Sequence, residues 1–342
     1  MLRVIYAAQH RLHDPATLLI DGKVFGSEDS PQRVESLLRA VQQPPFGPVT
    51  TPQDQGLPPL LAVHEADYLD YLQFAYQRNA DTYGKPSPVI PETFAPHGRR
   101  RKPAGFYGLP GYYSYGVGTP ILERTWQAAY WSAQCAVNAA DFVLAGEHTV
   151  YALCRPPGHH ALVGQSGGLC YLNNAAISAR RLQAGGQARI AILDIDYHHG
   201  NGTQEIFYTD PSVLYVSLHA HPDDDYPFYW GTSDETGEEL GLGFNRNFPL
   251  PQGTDDAAYL TALDQALGIV REFAPHGLVV SAGFDTALGD PIGAFRLTQT
   301  GLAEVGRRIA RLQLPTVLIQ EGGYLVERLG ENAAAFLRPL AE

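Results

Sequence analysis

The chain has 342 residues, 44% of them hydrophobic, and its 36 acidic and 24 basic side chains give a formal charge of -12 and a pI near 5.4. That length supplies a sizeable core, either as one large α/β domain or as two smaller ones. The acidic balance argues against a broad nucleic-acid or anionic-lipid surface and points to small or cationic partners. No stretch approaches the roughly 18 apolar residues of a membrane span, and MLRVIYAAQH has too short an apolar run for a signal peptide, so a soluble, cytoplasmic protein is expected. Cys135, Cys154 and Cys170 are odd in number, widely spaced and set in apolar surroundings, as befits reduced core residues.

In chain order, Arg3 to Ala8 reads as a first strand. A helix follows from about Pro31 to Val41, with Val34, Leu37, Leu38 and Val41 on one face. Another helix is expected from His64 to Asn79, its Tyr68, Leu69, Tyr71, Leu72 and Phe74 serving for packing. From Ala80 to Leu122 periodicity disappears, Pro, Gly and Tyr dominate, and Arg99, Arg100, Arg101 and Lys102 form a basic knot. Structureless loops well beyond ~15 residues are usually functional or interfacial. Tyr107, Tyr112, Tyr113 and Tyr115 favour an interface or a pocket rim, since tyrosine combines apolar area with a polar tip. A helix from about Arg124 to Ala145 leads to a strand, Thr149 to Cys154, and then to RPPGHH. Helix Tyr171 to Leu182, strand Ile190 to Leu193, a helical turn near Thr203 to Tyr208 and strand Val213 to Leu218 follow. After a loop with Asp223, Asp224, Asp225, Tyr226 and Trp230 come helix Asp255 to Phe273 and strand Leu278 to Ala282. Helix Thr298 to Leu312, strand Thr316 to Gln320 and a final helix close the chain. Strands alternating with helices imply one mostly parallel sheet covered on both faces.

The stretch IAILDIDYHHGNGT organises the rest. Its apolar start fits a strand buried on both faces, and alternation would project Asp194, Asp196 and His198 the same way from the carboxyl end, with Gly200 and Gly202 allowing a tight exit. Such a cluster is costly unless a bound cation compensates it; the plain alternative is a strand ending in a solvated loop. The other chemically loaded segments also follow strands: Gly158, His159 and His160; Asp285 after VVSAGF; Glu321, Gly322, Gly323 and Tyr324 after TVLIQ. In a parallel sheet these ends share one edge, where open α/β sheets place their sites. Asp196, His198 and Asp285 offer two oxygens and one nitrogen with a position left for water, the make-up of a catalytic zinc site that acidifies water and polarises a carbonyl. His159 and His160 are available as proton carriers, with Asp194 or Asn201 to set their tautomers, and Tyr324 offers a hydroxyl to an oxyanion. The chemistry expected is amide hydrolysis by water without a covalent intermediate.

RPPGHH, GGLCYLNNAA, ILDIDYHHGNGTQEIFY, VSLH, SAGFDTALGDP and EGGY together resemble the histone deacetylase superfamily, and the insertion before GTP and TWQAA is similar to the bacterial acetylpolyamine amidohydrolase branch. The resemblance runs from about residue 63 to the carboxyl terminus. It implies the arginase-deacetylase α/β fold in a single catalytic domain over residues 1–342, with the loop at about 80–122 helping to build a homodimer and narrowing the active-site mouth. It implies one Zn2+ per chain on Asp196, His198 and Asp285, with His160 as general base and acid and His159 as electrostatic helper. Asp194 would back His159, Asn201 would back His160, and Tyr324 would polarise the carbonyl. A structural K+ is implied near Asp194, Asp196, His198, Ser217 and Leu218, and a substrate tunnel at Gly168, Leu169 and Tyr226, with Ile292 in a gatekeeper-like place. Relatives often carry a bulkier aromatic where Leu169 stands.

The implied substrate is a small acetylated amine or acetyl-lysine. Where polyamine enzymes would carry acidic mouth residues, this chain has Tyr107 and Gly118; Asp223, Asp224 and Asp225, or Glu123, could substitute, and a protein or peptide acyl-lysine or other small-amide deacylase competes. Two further readings are a dinuclear manganese ureohydrolase, which would want another Asp-rich cluster, and an idle module that binds acetylated ligands, which would usually lack a ligand residue or the tyrosine.

Overall fold

Branched apolar runs bounded by polar or glycine-bearing turns form a central sheet, and the longer amphipathic stretches between them cover both of its faces. The computed structural model describes residues 1–20, 22–95 and 101–342, so Arg99 and Arg100 of the basic knot lie outside the described residues. The chain begins with β1 (Leu2–Ile5), β2 (Thr17–Ile20), β3 (Lys23–Gly26), α1 (Pro31–Val41), β4 (Phe46–Thr50), α2 (Pro58–Leu61) and α3 (Ala66–Tyr83). Next come α4 (Leu109–Tyr112), α5 (Thr125–Leu144), β5 (Thr149–Ala152), α6 (Asn174–Ala184), β6 (Ile190–Asp194), α7 (Asn201–Phe207) and β7 (Val213–Ala220). It closes with β8 (Asn245–Leu250), α8 (Asp256–Phe273), β9 (Gly277–Ala282), α9 (Gln299–Ala310), β10 (Thr316–Gln320) and α10 (Val326–Ala341).

The main sheet has eight strands in the order β4-β1-β5-β10-β9-β6-β7-β8, all paired in parallel, while β2 and β3 form a separate antiparallel hairpin. Side chains alternate between two cores as the strand period requires. Val150, Ala152, Ile190, Ile192, Val317 and Ile319 pack on the α5 and α6 face. Tyr151, Ala191, Leu193, Val280 and Leu318 pack on the opposite face with α8, α9 and α10. A parallel sheet covered by helices on both sides is the arrangement expected of the arginase-deacetylase fold. No helix among the described residues is long and apolar enough to cross a membrane.

Several sequence expectations need correction. Strands β4, β8 and the hairpin were not expected; β4 and β8 are the sheet's two edges and carry Pro48 and Pro249, which mute a strand signal that only an edge tolerates. Helix α3 extends to Tyr83, where Gly84 at φ 70 closes it. Helix α6 starts at Asn174, not Tyr171, because the Asn173 side chain caps it by accepting from the Ala176 N–H. Helix α7 starts two residues early, at Asn201.

The Ala80–Leu122 segment is not structureless. A Val89–Ile121 backbone bridge closes its base, and α4 lies within it. Tyr113 is not a rim residue but is buried, stacked 4.6 Å from Tyr71, while Lys102 and the Tyr113 hydroxyl both reach Asp67 on α3. Tyr107 is 69% exposed and Tyr115 turns inward.

Candidate active site

The strands whose ends carry the chemistry, β5, β10, β9 and β6, are four consecutive neighbours at the centre of the sheet. Their carboxyl ends bring together segments that are far apart in the chain. Ligand-capable atoms of Asp196, His198 and Asp285 all lie within 4.8 Å of one another. His198 Nδ1 is 3.3 Å from Asp196 Oδ1 and 3.2 Å from Asp285 Oδ2. The second oxygen of each carboxylate is fixed by backbone, Asp196 Oδ2 by Gly322 N–H at 2.7 Å and Asp285 Oδ1 by Tyr197 N–H at 3.0 Å. Glycine at 322 is obligatory, since a Cβ there would stand 2.2 Å from Asp285 Oδ2.

Both carboxylates are fully buried, and no lysine or arginine bonds to either among the described residues. Burial, and then the neighbouring Asp196 charge, push the Asp285 carboxyl up to about 7. For Asp196 the burial cost is outweighed by the His159 and His198 charges, which hold it below the usual carboxylate range. Two confined carboxylate oxygens and an imidazole nitrogen form a donor set that fits a divalent ion, whose charge would relieve this repulsion.

Beside this cluster the His159 and His160 rings lie 4.0 Å apart, and their surroundings shift the two in opposite directions. Burial disfavours a charge on His159, yet Asp196 and Asp194 raise it to about 10, with its Nδ1 3.1 Å from Asp194 Oδ2. Burial and then the charges of His159 and His198 drive His160 well below the ordinary histidine range, with its Nδ1 2.8 Å from Asn201 Oδ1. The two neighbours are thus biased in opposite directions by their surroundings, His159 toward the imidazolium and His160 toward the neutral imidazole, a division that suits acid–base chemistry. Glu321, noted in the sequence only for its position after a strand, accepts from Gly158 and His159 N–H at 2.6 and 3.2 Å and so holds the histidine loop.

Tyr324 is 7% exposed, and its backbone N–H donates to Asp290 Oδ2 at 2.7 Å. Beneath it lies a network that sequence reasoning missed. Arg33 sits 4.4 Å from the Tyr324 ring centre and donates to the Gly323 and Glu321 carbonyls, both at 2.6 Å. Asp29 Oδ1 receives Arg33 at 2.6 Å and Arg155 at 2.9 Å. Burial raises the Asp29 carboxyl, but Arg155 and Arg33 hold it at about 2 against an ordinary 3.8. The available signal was Arg33 in the same helical stripe as Leu37 and Val41, a charge on an apolar face.

Arg33→Ala should destabilise the protein by about 3–5 kcal/mol, because it leaves the buried Asp29 charge undercompensated. A depressed carboxyl contributes stability above its unfolded pKa and loses it as pH falls toward the folded one. The gap between wild type and variant in urea unfolding should therefore be full above pH 3.8 and narrow toward pH 2, the two values that bracket Asp29. An equal gap at both ends would contradict the assignment.

Of the proposed tunnel residues, Tyr226 and Gly168 lie against the histidines. The Tyr226 ring is 4.9 Å from His160 and 6.3 Å from His198. Gly168, at φ +54, lies against His160, where a Cβ would come within 2.4 Å of the ring. Leu169 N–H bonds Thr119 Oγ1, and Ile292 N–H bonds Asp290 Oδ1, both at 3.0 Å. On the far side of β6, Asp194 pairs in register with Ser217, and Leu218 follows on β7.

The three aspartates have different surroundings. Asp225 Oδ2 is taken by the Tyr197 hydroxyl at 2.7 Å, while Asp223 and Asp224 line a separate dent with His221, Pro249 and Pro251. Glu123 is exposed.

Fold and site find their counterpart in one class: the family model for the histone deacetylase domain matches residues 27–340, and the chain belongs to that family of deacetylase hydrolases acting on amides. Within it the chain falls in the bacterial acetylpolyamine amidohydrolase-like branch. It is 44% identical to acetylpolyamine amidohydrolase 1 of Pseudomonas aeruginosa over 337 residues, covering 98% of this chain and 97% of that one. To acetylpolyamine amidohydrolase of Mycoplana ramosa it is 38% identical over 340 residues, covering 99% and 100%. The crystal structure of acetylpolyamine aminohydrolase from Burkholderia pseudomallei superposes with a TM-score of 0.94 at 41% identity, covering 99% and 98%.

Proposed function

We propose that this protein is a zinc-dependent deacetylase that hydrolyses the amide of acetylated amines of the acetylpolyamine or acetyl-lysine type. The observation that carries this reading is the convergence of Asp196, His198 and Asp285 within 4.8 Å, beside the paired His159 and His160 rings 4.0 Å apart. A zinc ion held there would supply Lewis acidity toward the substrate carbonyl and toward a water. His160, the neutral imidazole, takes the proton of the attacking water as the new C–O bond forms and returns it to the amine as the C–N bond breaks. His159, kept cationic by Asp194 and Asp196, contributes a fixed positive charge, and the Tyr324 hydroxyl donates to the oxyanion. Asn201 orients His160, and Gly168, Leu169, Tyr226 and Ile292 enclose the acyl chain. A potassium ion is proposed as structural support at Asp194, Asp196, His198, Ser217 and Leu218.

We place the protein in the cytoplasm as a homodimer, with the insertion at the subunit contact and the active-site mouth. Free, buried cysteines support the first assignment, and the exposed Tyr107 and Phe94 the second. A surface dent of about 490 Å³ shares Tyr324 with the site and carries Glu28 and Glu327, and we propose these two carboxylates as the partners of a substrate's cationic end. The double variant Glu28→Gln, Glu327→Gln should raise KM for acetylspermidine about two- to fivefold, the modest effect of exposed charges, and leave KM for an uncharged N-alkylacetamide unchanged. Equal shifts for both substrates would remove these residues from amine recognition.

The decisive experiment is a turnover panel of acetylputrescine, acetylspermidine, acetyl-lysine peptides and small neutral amides with the zinc-loaded enzyme. Preference for peptide or neutral amide selects the broader deacylase, and inertness toward all of them overturns the reading. The manganese ureohydrolase finds little support. The one further metal-capable group among the described residues is His159, Cys170 and Glu321, with a single carboxylate.

A further inference from the structure

An asparagine beside a catalytic histidine poses a problem of orientation. With its carbonyl toward the ring, Asn201 fixes the proton on His160 Nδ1 and leaves Nε2 free as a base; turned over, its NH2 would favour the opposite tautomer, with no base available. The two orientations have nearly the same shape, so some other group must choose between them.

That group comes from the insertion. The Tyr115 hydroxyl lies 2.8 Å from the His160 carbonyl, 3.2 Å from Asn201 Nδ2 and 3.3 Å from the Tyr226 hydroxyl. A carbonyl can only accept, so Tyr115 must spend its one proton on His160 O. Its oxygen is then an acceptor toward Asn201, which must turn its NH2 to Tyr115 and its Oδ1 to His160 Nδ1, at 2.8 Å. Tyr226 donates to the remaining lone pair. The Tyr115 ring is itself held in one place: its backbone N–H bonds the Ser166 carbonyl at 3.1 Å, and a Cβ at Gly167 would fall 2.1 Å from its Cζ.

We propose that Tyr115 is a positioning residue that fixes the orientation of the Asn201 amide and, through it, the base-competent tautomer of His160. The proposal rests on the reading of His160 as the base and adds to it the residue that makes an asparagine dependable there. It also gives the insertion a part in the chemistry apart from any subunit contact.

The test is a kinetic cycle of Tyr115→Phe, Asn201→Asp and the double variant, with circular dichroism to verify folding. Tyr115→Phe should lower kcat about tenfold or more with KM within about twofold, whereas in the Asn201→Asp background the same change should cost about threefold or less. An aspartate accepts through either oxygen, so it holds the Nδ1 proton whichever way it lies. A purely structural role for Tyr115 predicts equal losses in both backgrounds, and that result overturns the proposal. A second readout requires no activity: 15N NMR of the imidazoles should show His160 as the Nδ1–H tautomer in the wild type and a mixture in Tyr115→Phe. An Nε2–H wild type, or a variant with an unchanged tautomer, is equally fatal, and the wild-type spectrum decides even if the variant does not fold. Inert wild-type enzyme would instead refute the deacetylase reading, leaving the tautomer result to stand separately.

Discussion

Tyr324→Phe should lower kcat on acetylated amines about 10²- to 10³-fold, the cost of losing one donor to an oxyanion. KM should change little, because the hydroxyl bond strengthens as charge develops on the carbonyl oxygen. Folding should be nearly unaffected: the Tyr324 backbone is tied to Asp290 and its ring rests on Arg33, contacts that phenylalanine keeps. No hydrogen bond to its hydroxyl is found among the described residues, so removing it orphans no partner. The measurement is steady-state kinetics together with urea unfolding. Turnover at the wild-type rate would take the tyrosine out of the reaction and revive the idle acetyl-binding module.

Asp285→Asn should abolish stoichiometric zinc binding and turnover together, a larger loss than the about 10- to 100-fold in affinity or activity typical of outer partners. The same substitution should stabilise the metal-free protein. Burial and Asp196 raise the Asp285 carboxyl to about 7, so at pH 8 the folded state carries a charge it disfavours relative to the unfolded chain. A group shifted upward in this way costs stability above its folded pKa and ceases to do so as pH falls toward its unfolded value. The metal-free variant should therefore outlast metal-free wild type in urea at pH 8, and added zinc should reverse the order. Full zinc content in the variant, measured by elemental analysis, or a metal-free variant weaker than wild type at pH 8, would show that this carboxylate is not held for a cation.

Much of this arrangement was legible before any coordinates. The apolar runs at 150, 190, 278 and 316 ended in histidine, aspartate and glycine, and parallel pairing brought those ends to one edge. The edge strands β4 and β8 were not legible, since Pro48 and Pro249 suppress the local pattern that marks a strand. The aspartate run at 223–225 was ambiguous for a different reason: composition counts charges but does not aim them, and one is spent on Tyr197 while two face a separate dent.

By itself the sequence determined the central strands, most of the helices and which strands end in chemistry, because burial periodicity, caps and glycine turns are local properties of a few neighbouring residues. Only the tertiary structure decided that β5, β10, β9 and β6 are consecutive neighbours, that Arg33 supports a turn 290 positions away, and that Tyr115 reaches Asn201. Those facts depend on strand order and on which buried polar groups must find partners in a dry interior, and hydrogen-bond satisfaction there is settled by the whole fold at once.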